Sequence, residues 1–92
     1  MDKFVIFETN RFIKDLERDL GDQRERIAAK LKNFVYPQLR LNPFWGKNVK
    51  KLKNYTPDTW RYRIGDYRFF YTVDIHSKTV SMLAIDHRKD AY

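Results

Sequence analysis

The stretch WRYRIGDYRFFY, residues 60–71, constrains this chain more than any other segment. Gly65-Asp66 separates two alternating runs, and glycine at the first central position of a two-residue loop fits a type II′ hairpin turn. The register follows: Ile64 opposite Tyr67, Arg63 opposite Arg68, Arg61 opposite Phe70. Successive side chains on a strand point to opposite faces. Arg61, Arg63, Arg68 and Phe70 therefore share one face, and Trp60, Tyr62, Ile64, Tyr67, Phe69 and Tyr71 share the other. The aromatic face requires an apolar partner. Like charges directly opposite each other destabilise a sheet, so Arg63 and Arg68 call for an anion. No acidic residue lies in 60–64, and the nearest, Asp66, is in the turn.

Helical and extended periodicities supply the rest of the fold. Residues 2–8, DKFVIFE, alternate with apolar residues on both faces, which predicts a central strand. Thr9 or Asn10 can cap a helix over NRFIKDLERDL, with Phe12, Ile13, Leu16 and Leu20 at helical spacing and Gly21 as its stop. Asp22 is expected to cap a second helix, DQRERIAAKLKNFVY, with Ile27, Leu31, Phe34 and Val35 as its apolar stripe and Pro37 as its end. Residues 37–59 read as an irregular connection punctuated by Pro43, Gly46 and Pro57. Strands follow at 60–64, 67–73 and about 79–86, the last two joined by DIHSK. The expected fold is α+β, a single domain over 1–92 in the order β-α-α-β-β-β. A helical hairpin covers the aromatic face of a mainly antiparallel sheet and leaves the arginine face open.

Charge gives that open face a purpose. The formal net charge is +7, and it is unevenly spread: residues 46–92 hold ten Lys/Arg against five Asp/Glu, whereas residues 1–45 hold nine against seven. A basic excess interleaved with aromatics suits a polyanion such as RNA or DNA, or an acidic protein segment. The absence of cysteine removes disulfides and thiolate metal ligands, and two histidines argue against a dedicated zinc site. No cofactor is expected. No apolar run is long enough to span a bilayer and no signal-peptide layout is present, which points to a cytoplasmic protein without a membrane partner.

Four clusters can serve the open face. Arg61, Arg63 and Arg68 can hold phosphate bidentately. Lys47, Lys50, Lys51 and Lys53 surround Val49 and Leu52 and can give sequence-independent phosphate contacts, with Lys53 nearest the arginine strand in sequence. The ending IDHRKDAY brings His87, Arg88 and Tyr92 to the end of the last strand; histidine can exchange a proton near neutral pH, and tyrosine can stack on a base. Phe44-Trp45 suits core packing or a partner surface. Cleavage of RNA by its own 2′-hydroxyl needs a base, an acid and cations around the phosphorane. Arginines with a histidine and a tyrosine can meet those needs, and no carboxylate cluster for a two-metal site accompanies the arginines.

The element order, the segment LKNYTPDTWRYRIGDYRFFYTVD and the ending AIDHRKDAY resemble the RelE/ParE superfamily of bacterial toxins from type II toxin–antitoxin systems. The resemblance spans the whole chain. In the RelE-like branch it implies a metal-independent endonuclease that cuts messenger RNA in the A site of the 70S ribosome, leaving a 2′,3′-cyclic phosphate or its 3′-phosphate product. The family pattern falls on Arg61 and Arg63 in the second strand, Arg68 in the third, Arg88 after the fourth and Tyr92, with Lys53 at a further basic position. Arginine stands where the best-known pattern has lysine at both second-strand positions, and His87 becomes the candidate for proton transfer. The resemblance also implies a cognate antitoxin with an acidic wrapping segment. Two other functions compete: gyrase poisoning without RNA cleavage, as in the ParE-like branch, and a purely binding role.

Overall fold

The computed structural model of the protein describes residues 3–18 and 20–87. Its elements are β1 (Val5–Glu8), α1 (Asn10–Arg18), a short 3₁₀ turn (Gly21–Gln23), α2 (Arg24–Lys30), a π-helical turn (Leu31–Val35), α3 (Tyr36–Leu41), β2 (Val49–Lys51), β3 (Trp60–Ile64), β4 (Tyr67–Asp74) and β5 (Thr79–His87). The strands form one sheet in the order β1-β5-β4-β3-β2, with β1 parallel to β5 and every other pair antiparallel. The α+β architecture is as expected, with helices on one face of a mainly antiparallel sheet.

The β3–β4 hairpin keeps the register its sequence dictates: Ile64 faces Tyr67, Arg63 faces Arg68 and Arg61 faces Phe70. Gly65 has φ +56, as the turn requires. Its aromatic side is the heart of the core. Phe69 and Tyr71 are fully buried, and Trp60, Tyr62 and Tyr67 nearly so, against Phe12, Ile27, Leu31, Val35 and Leu39 of the helices. Buried hydroxyls find partners: Tyr71 donates to the Pro43 carbonyl (2.7 Å) and Tyr62 to Gln38 Oε1 (2.8 Å). Burial pushes the Tyr71 phenol above its ordinary value, so it remains a donor.

Five expectations are corrected. β1 lies at an edge, not the centre, and Val5 and Phe7 are exposed while Phe4 is buried. Pro37 does not end the second helix. The backbone widens into the π-helical turn just before it, and Pro37 then occupies the first turn of α3, where its missing N–H costs nothing. The π turn also rotates Phe34 off the stripe, leaving it exposed while Ile27, Leu31 and Val35 are buried. Asp22 makes no capping bond and sits within the 3₁₀ turn. The first cap holds: Thr9 Oγ1 accepts the Phe12 N–H (3.2 Å) and donates to the Met82 carbonyl (2.8 Å). Lastly, the supposed irregular stretch contains β2, a fifth strand, and begins only after Leu41.

Candidate nucleic-acid interface

Strand pairing assembles the open face row by row. β2 sets Lys50 opposite Arg61, and Arg61 faces Phe70, which faces Ala84. The neighbouring row runs Arg63, Arg68, Asp86. Directly opposed residues hold their Cβ atoms about 4.5–5.5 Å apart, so Lys50, Arg61, Arg63 and Arg68 form one compact cationic patch. Arg61 is half-buried within it. Desolvation, and then repulsion from Arg63 and Arg68, lowers its guanidinium pKa from the ordinary value. The patch is electrostatically tense in the absence of an anion.

The protein supplies part of the missing anion. Asp86 Oδ2 lies 3.5 Å from an Arg68 guanidinium nitrogen, and Arg63 Nε donates to the Gly65 carbonyl (2.9 Å). No acid lies on β3, and the one that offsets Arg68 stands across the sheet on β5. A β-bulge puts it there. Phe70 pairs with Ala84 but Tyr71 pairs with Met82, so Leu83 is the extra residue. Val80, Met82 and Ile85 consequently share the buried side, and Asp86 turns to the open face.

The same bulge sends His87 the other way. It pairs with Tyr67 and stacks on its ring at 4.1 Å between centroids, 13° from parallel, on the helix side at the margin of the sheet. The expectation that His87 borders the arginine face is corrected on this ground. Arg88 and Tyr92 lie outside the described residues. Of the lysines, Lys50 joins the patch through β2, and Lys47 and Lys53 are exposed in the turns on either side of that strand. Lys51 faces the opposite side, 5.8 Å above the Trp60 ring and 3.3 Å from Asp58. Lys53 had sequence proximity in its favour, but pairing selects Lys50. Phe44 packs edge-on against Phe4 and Trp60, whereas Trp45 is exposed. Among the described residues, no group of three or more His, Asp or Glu side chains is placed to hold a metal ion.

Comparison with known proteins gives this patch a context. A family model described as the ParE toxin of type II toxin–antitoxin system, parDE, matches residues 6–92. The chain belongs to this toxin family. Within the wider RelE/ParE superfamily, it is 34% identical over 84 residues to Toxin RelG of Mycobacterium tuberculosis, covering 91% of this chain and 94% of RelG. Among solved structures, the toxin–antitoxin complex RelBE2 from M. tuberculosis contains a chain that superimposes with a TM-score of 0.77 at 29% identity, covering 98% of this chain and 97% of that one. A YoeB/ParE toxin from Agrobacterium tumefaciens shares the fold at a TM-score of 0.73 and 19% identity, over 91% of this chain and 98% of its own. The cationic open face thus belongs to a toxin of this family.

Proposed function

We propose that this toxin is an endoribonuclease that cuts messenger RNA in the A site of the 70S ribosome, with residues 1–92 acting as one domain in the cytoplasm. The observation that carries this reading is the set of four cations, Lys50, Arg61, Arg63 and Arg68, gathered on the uncovered sheet face. An RNA phosphate would take the place of Asp86 at Arg68 and relieve the repulsion around Arg61. The 2′-hydroxyl then loses its proton and attacks the adjacent phosphorus. Charge grows on the non-bridging oxygens, where the guanidiniums stabilise it, and the bond to the 5′-oxygen breaks as that oxygen is protonated. The products are a 2′,3′-cyclic phosphate and a 5′-hydroxyl. Arginine forks supply the charge stabilisation that this reaction requires of a site without a metal. Lys47 and Lys53 would position the strand without reading sequence. Proton transfer falls to the ending that follows β5, with Arg88 and Tyr92, since His87 stacks on Tyr67 on the opposite side of the sheet.

The antitoxin is the second partner. A chain of similar fold occurs in a toxin–antitoxin complex, and a cognate antitoxin with an acidic segment would compete with RNA for the same cations. Mapping of 5′ ends after brief induced expression, beside an Arg68→Ala control, tests the nuclease reading. New ends inside translated codons, absent from the control, are the expected result; intact transcripts during growth arrest would overturn it. The ParE description of the matched family favours a second reading, poisoning of DNA gyrase. A DNA-damage response with intact transcripts would identify that activity instead.

A further inference from the structure

Beside the cationic patch, on the same face, lies a cleft of about 460 Å³. That size falls within the range of roughly 300–1,000 Å³ typical of small-ligand sites. Phe70 and Ala84 form its floor, Tyr55 and Thr59 come from the segment after β2, and Leu83 and Arg11 close the far side. The bulge creates the space, because Leu83 leaves the ladder where a regular strand would continue it. Tyr55 is 54% exposed, a large ring standing open at the mouth. The buried Thr59 donates its hydroxyl to the Pro57 carbonyl (3.0 Å), which leaves its oxygen able to accept.

We propose that this cleft is a nucleobase subsite, which takes the base of a single-stranded RNA nucleotide whose phosphate lies on Arg61. The inference rests on the RNA reading above. Arg61 is directly opposite Phe70, so phosphate site and aromatic floor are adjacent positions on neighbouring strands. A nucleotide carries a flat, largely apolar ring and an anion at about that separation. Aromatic surfaces accept such rings by stacking, and arginine planes do the same. Arg11 at the far rim, ion-paired with Asp15 at 3.7 Å, keeps the cleft flanked by cations on both sides, and among the described residues no lining residue is acidic. An apolar protein side chain would fill the cleft but leave Arg61 and Lys50 uncompensated. The nucleotide satisfies both features together.

The test uses the purified full chain and a four-nucleotide 2′-O-methyl RNA backbone that cannot be cleaved, either wholly abasic or carrying one adenine. Adenine is expected to tighten binding to the wild type by about tenfold, as base–aromatic stacking does. Ala84→Leu, which extends a side chain into the cleft from an open-face position, should reduce that gain to less than twofold while the abasic strand binds as before. Tyr55→Ala should reduce it in part. An adenine gain that survives Ala84→Leu would overturn the subsite and leave the RNA reading standing. Failure of the wild type to bind either strand would overturn the subsite, while the RNA reading is judged by the mapping of 5′ ends. No adenine gain, with Ala84→Leu instead weakening capture of the co-expressed antitoxin, would assign the cleft to a protein side chain and overturn the base proposal.

Discussion

The two faces of the β3–β4 hairpin are built from the same twelve residues, 60–71, and face opposite demands. On one, rings interlock with the helices and every buried hydroxyl described above has a partner. On the other, arginines stand opposite each other and, among the described residues, draw on the Asp86 carboxylate of β5. The covered face carries the stability and the open face spends some of it on charge. The two should therefore respond to mutation in opposite ways.

The largest effect should come from the covered face. Phe69→Ala is expected to cost about 3–5 kcal/mol of folding free energy, the range for deleting a buried phenyl ring, measured by urea denaturation. An open-face change of comparable size in side-chain volume should behave differently. Arg61→Leu is expected to leave stability unchanged or raise it by up to about 1 kcal/mol, because it removes a desolvated charge repelled by its neighbours. The same variant should slow RNA cleavage on the order of 10²–10³-fold, as loss of one charge-stabilising donor does. If Arg61→Leu unfolds the protein, the division between the faces is wrong.

A smaller effect sharpens the account of the open face. Asp86 occupies Arg68 in competition with phosphate, so Asp86→Asn should tighten RNA binding several-fold at low salt and steepen its salt dependence. Both side chains of the pair are partly exposed, so stability should change by less than about 1 kcal/mol. Unchanged affinity and salt slope would mean that Asp86 does not compete. The smallest effect lies away from both faces. At the β4–β5 turn, the backbone N–H groups of Ser77 and His76 hold the Asp74 carboxyl below its ordinary value. A depressed folded-state pKa stabilises the fold above the unfolded-state value, and the benefit disappears as pH falls through the folded-state value. Thermal melts of wild type and Asp74→Asn should therefore differ slightly at neutral pH and converge in acid.

Legibility in the sequence followed how locally each feature is determined. The hairpin could be read to the residue because Gly65-Asp66 sets the turn and strict alternation sets both faces. The Thr9 cap was legible for the same reason: its bond to Phe12 spans one helical turn. What escaped depends on distant partners. β2 is three residues long and only Val49 packs against the core, so no periodicity marks it; Lys50 gained its place only through pairing with Arg61. Pro37 carries a strong local stop signal, overridden because Tyr36 and Leu39 are buried and Gln38 bonds Tyr62 when the helix continues. The edge position of β1 was hidden by its two apolar faces, one of which remains exposed. The bulge at Leu83 was the most consequential omission, since it decides which of two adjacent residues meets the arginines.

That single extra residue works as a selector between two chemistries encoded side by side. With Leu83 looped out, the open face receives a carboxylate, Asp86, and the histidine ring is parked on Tyr67. A ladder that kept Leu83 in step opposite Phe70, continuing strict alternation from the Tyr71–Met82 pair, would invert that assignment. The imidazole would then stand among the guanidiniums and the carboxylate would turn inward. A one-residue shift in how β5 pairs with β4 would thus exchange a fixed counter-charge for a titratable group without substituting Asp86 or His87.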